Sequence, residues 1–231
     1  MKTLITFIRQ IVFMLAFIVL CSTAMNAQIF FDGSPGTDAP PPTLGGFTMV
    51  PFEDDNRPTF VTYPDVPLPA PYTGNLGFTP DLIHYKIGDG WSAWGHGYTG
   101  SVYFTGGGVN SMTFTLPPET RAFYFYSLPN TFGTYSMEAT AQDGTTSGPI
   151  SVTSSLAGEA KYFGFYTLGG VEISQIEVTA QTGTNGFAVG EFGIFVGPPS
   201  EPVAVPLSSW AFYLGIFLMI SFVVIRFRRI V

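Results

Sequence analysis

The chain has 231 residues, 46% of them hydrophobic and 16% aromatic, with a formal net charge of −7 and a single cysteine. The charge is unevenly placed: between Gln28 and Pro206 only Arg57, Lys86, Arg121 and Lys161 are basic, against all 16 acidic residues, a balance of −12. A surface so acidic argues against nucleic-acid partners and anionic membranes, and it suits solubility outside a cell or cation binding.

At the N-terminus, Lys2 and Arg9 precede the apolar run Ile11 to Leu20, followed by small residues up to Ala27. A positive start, a short apolar stretch and a small-residue exit predict a signal peptide over residues 1–27, cleaved after Ala27 or Ala24. The apolar run is too short for a comfortable membrane span, which weakens the alternative of a permanent anchor. The one cysteine, Cys21, falls inside this segment. The mature protein is therefore expected to carry no disulfide, no thiolate chemistry and no zinc–thiolate site, and to rely on an aromatic core.

Residues 28–80 are rich in Pro, Gly and Asp, including Asp38-Ala-Pro-Pro-Pro42 and Pro64-Asp-Val-Pro-Leu-Pro-Ala-Pro71. Proline removes backbone donors, so this segment reads as irregular, with short extended pieces at Phe47–Phe52 and Thr59–Tyr63, some of them edge strands. Residues 81–196 read as the core of an all-β, antiparallel sandwich of jelly-roll-like type, because short β-type runs alternate there with turn residues. In Ser111–Leu116 the residues Met112, Phe114 and Leu116 fall on one face. Tyr135–Gln142 repeats the pattern and ends at Asp143-Gly144, a hairpin dipeptide that predicts a partner strand near Pro149. Arg121–Tyr126 and Lys161–Tyr166 carry consecutive aromatics, so both faces must be covered, as in central strands, or one must be offered to a ligand. Further strands are expected over Val171–Ala180, with a bulge at Ser174-Gln175, and over Phe187–Val196.

Residues 197–206 contain four prolines and read as a stiff spacer. After it, Leu207 to Ile225 is free of charge; at about 1.5 Å rise per residue it reaches roughly 28 Å, enough to cross a bilayer as one transmembrane helix. Arg226, Arg228 and Arg229, in the tail 226–231, should hold that end in the cytoplasm and leave the rest of the chain outside.

Two resemblances follow from these residues. The run Val205-Pro206-Leu207-Ser208-Ser209-Trp210, the apolar helix and the arginine tail resemble the tripartite sorting signals of the PEP-CTERM and IPTL-CTERM types. The likeness implies an exported bacterial protein, handled by an exosortase-like membrane enzyme and transferred to the cell surface or extracellular matrix. The succession Tyr162–Tyr166, Ile173–Val178 and Gly186–Phe195 is similar to the closing strands of β-sandwich domains common in PEP-CTERM proteins, with Gly190-Glu191 standing where an Asp pair is frequent. That second likeness concerns packing and turn chemistry, and implies fold rather than activity.

Three sets of side chains are candidates for chemistry. Trp91, Trp94, His96, Tyr98 and Tyr103 cluster among glycines; flat rings could stack on sugar faces of an extracellular polysaccharide, or else plug one end of the core. Asp32, Glu53, Asp54, Asp55 and Glu191 could hold a calcium ion, if the first and last strands are neighbours, or could simply be solvated. For catalysis there are only two histidines, His84 and His96, and no Gly-x-Ser-x-Gly or His-Glu-x-x-His pattern. His84 lies in an expected strand and reads as structural. Gly106-Gly107-Gly108 has no following lysine or helix, so it is no phosphate loop. The expectation is a non-enzymatic surface protein, structural or adhesive, without a cofactor. A carbohydrate-binding module and a plain single-pass anchored protein are the alternatives.

Overall fold

The computed structural model describes residues 28–198; the signal peptide, the sorting motif, the apolar span and the arginine tail lie outside them. The fold is all-β, and among the described residues there is no helix. The strands, in chain order, are β1 (Gln28–Asp32), β2 (Thr43–Leu44), β3 (Phe47–Thr48), β4 (Val50–Pro51), β5 (Thr62–Pro67), β6 (Asn75–Ile87), β7 (Gly90–Trp91), β8 (Ser101–Phe104), β9 (Ser111–Thr115), β10 (Thr120–Pro129), β11 (Gly133–Ala141), β12 (Ile150–Ser154), β13 (Lys161–Leu168), β14 (Gln175–Ala180) and β15 (Phe187–Val196).

Thirteen of them belong to one hydrogen-bonded sheet in the order β1-β13-β10-β15-β8-β6-β9-β14-β11-β12, with β4 on β15 and both β5 and β7 on β6; β2 and β3 form a separate hairpin. Pairing is antiparallel except for the two-residue match of β6 with β7. The sheet folds back on itself through β6. Gly77–Thr79 of that strand pair with β9, whereas Ile83–Tyr85 pair with β8. Between the two pairings lie the exposed Pro80 and Asp81, where proline's missing donor costs no ladder bond.

Because β6 changes partners, β9 comes to lie opposite β10, and Phe114 meets Phe123 and Phe125 at centroid distances of 5.3 and 4.8 Å. Phe192 from β15 closes the cluster on Phe114, Phe123 and Tyr103. Two faces packed through interdigitated rings are consistent with a β-sandwich.

Local sequence accounts for which strands are half buried. Met112 and Phe114 on β9, and Ile176 and Val178 on β14, are buried while their neighbours face water. The hairpin signal at Asp143-Gly144 works as expected: Gly144 N–H donates to the Ala141 carbonyl, Thr145 N–H to the Asp143 carboxylate, and β12 returns along β11. β14 starts only at Gln175; Val171–Ser174, expected as its first part, form no strand, although Ile173 is buried and bonded to Thr120.

β10 is buried along its whole length, as its aromatic run requires. Its inner face carries Phe123 and Phe125; its outer face carries Tyr124 and Tyr126, covered by the proline-rich N-terminal segment. Room for those outer rings comes from two glycines that pair with Tyr124 across the strands, Gly164 on β13 and Gly193 on β15. A Cβ on Gly193 would overlap the Tyr124 ring, and one on Gly164 would lie 2.6 Å from the Tyr162 hydroxyl.

Candidate functional site

The strongest departure from regular structure on the outer face is at Glu191. Tyr126 pairs with Gly190 and Tyr124 with Gly193, so Phe125 alone stands opposite Glu191 and Phe192: a β-bulge with one extra residue on β15. Glu191 has φ 51°, a left-handed conformation that costs a non-glycine residue about 1–2 kcal/mol. The bulge leaves Phe192 in the core and turns the Glu191 carboxylate outward.

That carboxylate is met by a loop nearly a hundred residues away. Trp94 Nε1 donates to Glu191 Oε2 at 3.1 Å, and His96 Nε2 lies 2.8 Å from both carboxylate oxygens. His96 Nδ1–H donates to the Thr37 carbonyl at 2.9 Å, so the imidazole ties the N-terminal segment, the 94–98 loop and β15 together. His96 is itself left-handed, with φ 33°. Its main chain faces solvent, but its side chain and that of Glu191 are each only 11% exposed. Strain on both partners of one contact persists only where the surroundings over-determine it.

The electrostatics follow from burial. Glu191 is shifted above the ordinary carboxylate value of 4.5, chiefly because its charge is desolvated, and the bonds from His96 and Trp94 offset only part of that. Burial first, and the Glu191 charge second, push the hydroxyls of Tyr98, Tyr124 and Tyr126 up. Tyr98 donates to the Ser101 carbonyl and Tyr126 to the Asp38 carbonyl. Tyr162, beside them, has the one buried side-chain polar atom without a partner among the described residues. With its three short bonds already made, the carboxylate acts as a clamp for the 94–98 loop.

A second polar cluster fixes the N-terminal segment to β8. Asp55 accepts from Arg57 Nε through both oxygens and from the Tyr103 hydroxyl at 2.7 Å, and Arg57 continues to the Asp65 carbonyl at 2.6 Å while stacking 4.0 Å over Tyr63. Ser101 donates to Asp54 at 2.7 Å and lies 3.0 Å from His84 Nε2, and Lys86 bonds the second Asp54 oxygen at 2.8 Å. Burial works against ionisation of both aspartates, yet the donors outweigh it and hold each below the ordinary 3.8. His84 is buried, with Nδ1 3.2 Å from the Pro58 carbonyl rather than a carboxylate.

The five aromatic-platform residues expected from the sequence are therefore split between three places. Trp94 and Tyr103 are each 1% exposed and offer no free ring face. Tyr103 points into the core; Trp94, His96 and Tyr98 surround Glu191. Trp91 backs onto Phe104 and lines a separate groove of about 140 Å³ with Asn130, Phe132 and Ser154.

The candidate calcium ligands are dispersed too. β13 and β10 stand between β1 and β15, so the first and last strands are not neighbours. Asp32 caps a turn through Ser34 N–H, Asp54 and Asp55 are engaged as above, and Glu191 is held by His96. Among the described residues no group of three His, Cys, Asp or Glu side chains could hold a metal ion. Val205, Pro206, Leu207, Ser208, Ser209, Trp210, Arg226, Arg228 and Arg229 lie outside the described residues.

Sequence reading missed Phe132, which stands 59% exposed beside the groove. Its signal was a large aromatic set between the turn residues Asn130 and Gly133.

No family model and no curated protein matches the chain. Among solved structures it has a distant likeness to the enzymatically active domain of tailspike protein 4 of bacteriophage CBA120, at 13% identity and a TM-score of 0.19, over 74% of this chain and 20% of that one. The chain thus spans about a fifth of that domain, and a likeness at this level carries no argument about fold or activity.

Proposed function

We propose that this is an exported protein of a bacterial cell surface or extracellular matrix, non-enzymatic and adhesive or structural in role, whose jelly-roll-like sandwich is delivered by a signal peptide and sorted through its C-terminal segment. In this reading residues 207–225 cross the membrane as a helix until an exosortase-like enzyme acts at the Val205–Trp210 motif. The sandwich then stays outside.

The observation that carries the reading is the position of β1. Gln28, the first residue after the expected cleavage at Ala27, already pairs with Leu168, and Ile29 beside it is fully buried. A cut after Ala27 would therefore leave the whole of the described β1, with its buried Ile29, in the mature protein. Two further features support an extracellular setting. The sandwich is held by stacked rings and hydrogen-bonded ion pairs without cysteine, and its surface is acidic.

The test is mass spectrometry of the protein recovered from the surface or matrix of the cells that make it. The expected termini are an N-terminus at Gln28 or Met25 and loss of the residues after about Pro206. A mature protein that keeps Leu207–Ile225 would make it an ordinary single-pass anchored protein, and one that keeps residues 1–27 would overturn export by a cleaved signal.

A further inference from the structure

The groove lined by Trp91 and Phe132 has exposed apolar side chains beside it, whereas Phe60, 62% exposed, stands elsewhere with its ring edge-on to Tyr85. Phe132 is 59% exposed and Leu156 81%, and both belong to loops that flank the groove, after β10 and after β12. A recess with exposed apolar side chains at its rim and a few convergent polar groups is a candidate binding site.

The loops are not loose. Asn130 N–H donates to the Gly186 carbonyl and Asn130 Nδ2 to the Asn185 carbonyl; Thr131 bonds the Thr184 carbonyl through both its N–H and its hydroxyl. On the opposite side Ala160 N–H donates to the Trp94 carbonyl, and Gly158 packs so closely on the Trp94 backbone that a Cβ would fall 2.5 Å from it. Phe132 is thus presented by an anchored segment, and little ordering remains to oppose binding.

The lining has a definite chemistry. No charged residue lines the groove, in a domain dominated by carboxylates. The polar lining residues are neutral: Ser92, Ser154, Ser155, Asn130 and Trp91, with the Ser155 hydroxyl already accepting from Ala157 N–H. Trp91 and Ser154 are largely buried, yet neither Trp91 Nε1 nor Ser154 Oγ is sealed from solvent without a partner, a condition met among the described residues by Tyr162 alone.

We infer that this groove binds one ring of a neutral glycan, with a pyranose face against the Phe132 ring and its hydroxyls exchanging hydrogen bonds with Asn130, Ser92, Ser154 and the Trp91 N–H. An aromatic face beside neutral donors and acceptors matches the amphipathic surface of a sugar ring. The absence of charged lining residues disfavours uronic or sulfated sugars, which would also be repelled by the net negative charge of residues 28–206. A single ring of about 12 heavy atoms at drug-like efficiency binds with an affinity on the order of millimolar, so tight retention needs a polymer offering many rings. The inference gives the adhesion reading above a ligand class, and binding is measured independently of how the protein is sorted.

The test uses full-length protein and immobilised neutral polysaccharides (a glucan, a mannan, a galactan) beside the anionic alginate, with saturation-transfer NMR on the matching neutral oligosaccharides. At least one neutral polymer should retain the protein, alginate should not, and Phe132→Ala should weaken retention tenfold or more with an unchanged melting temperature, while Phe132→Trp restores it. Asn130→Ala should weaken retention as well. Absence of retention by every neutral polymer, retention unaltered by Phe132→Ala, or preference for alginate would overturn the inference. The mass-spectrometric result on the termini would be untouched by any of these outcomes.

Discussion

At the level of single residues, the two acidic clusters respond to pH in opposite directions. Asp55 has its carboxyl held below 3.8 in the fold, so its contribution is present above that value and is lost as pH falls through the depressed one. Asp55→Asn should cost about 1–3 kcal/mol near neutrality, by leaving Arg57 and Tyr103 imperfectly paired, and the deficit should shrink below pH 3.8. Glu191 is raised above 4.5, so its contribution is present below that value and is lost as pH climbs through the raised one. Urea midpoints measured from pH 3 to 7 should therefore show Glu191→Gln gaining on the wild type as pH rises above 4.5. A flat difference between those two proteins would mean that His96 and Trp94 fully compensate the desolvation of the carboxylate.

Among the elements, the central trio β13, β10 and β15 is held by the exchange of glycines for tyrosine rings. Gly193 is directly opposite Tyr124, which is 2% exposed and has nowhere to move. Gly193→Ala should lower stability by about 1–3 kcal/mol, the usual range for overpacking, as read from a denaturant midpoint. Combining it with Tyr124→Ala should give much less than the sum, because the ring that the methyl strikes has gone. β6 bears a different constraint. Its two halves serve different partners, so the alternation along it must hold on both sides of Pro80, and Leu76, Phe78, Leu82 and His84 are all buried.

For the whole molecule, the first described strand carries a stability prediction. Among the described strands β1 lies at the end of the sheet, yet Ile29 is fully buried and Phe31 meets Phe163 and Phe165 at 6.3 and 5.3 Å. Ile29→Ala should cost about 2–5 kcal/mol by thermal or chemical unfolding, so export processing that cut beyond Gln28 would weaken the sandwich. With Cys21 outside residues 28–198, unfolding of that region should be indifferent to reductant. A midpoint lowered by dithiothreitol would contradict this.

The sequence alone determined the all-β class and most of the strands, because alternation in Ser111–Leu116 and Tyr135–Ala141, aromatic runs in Arg121–Tyr126 and Lys161–Tyr166, and the Asp143-Gly144 turn are short-range signals that act within a few residues. It also supplied the expectations about export and sorting, which depend on linear segments. Only the tertiary structure decided which aromatic rings are free and which carboxylates meet. Trp94 and Tyr103 looked available beside their glycines, but the outer face of β15 and the core claimed them, while Phe132 was left outside. His96 and Glu191 were noted for separate reasons, and their contact follows from a bulge in β15 and from the closing of a loop 95 residues earlier in the chain. Such a meeting has no local signature, because pairing across the sheet is set by the packing of both faces at once.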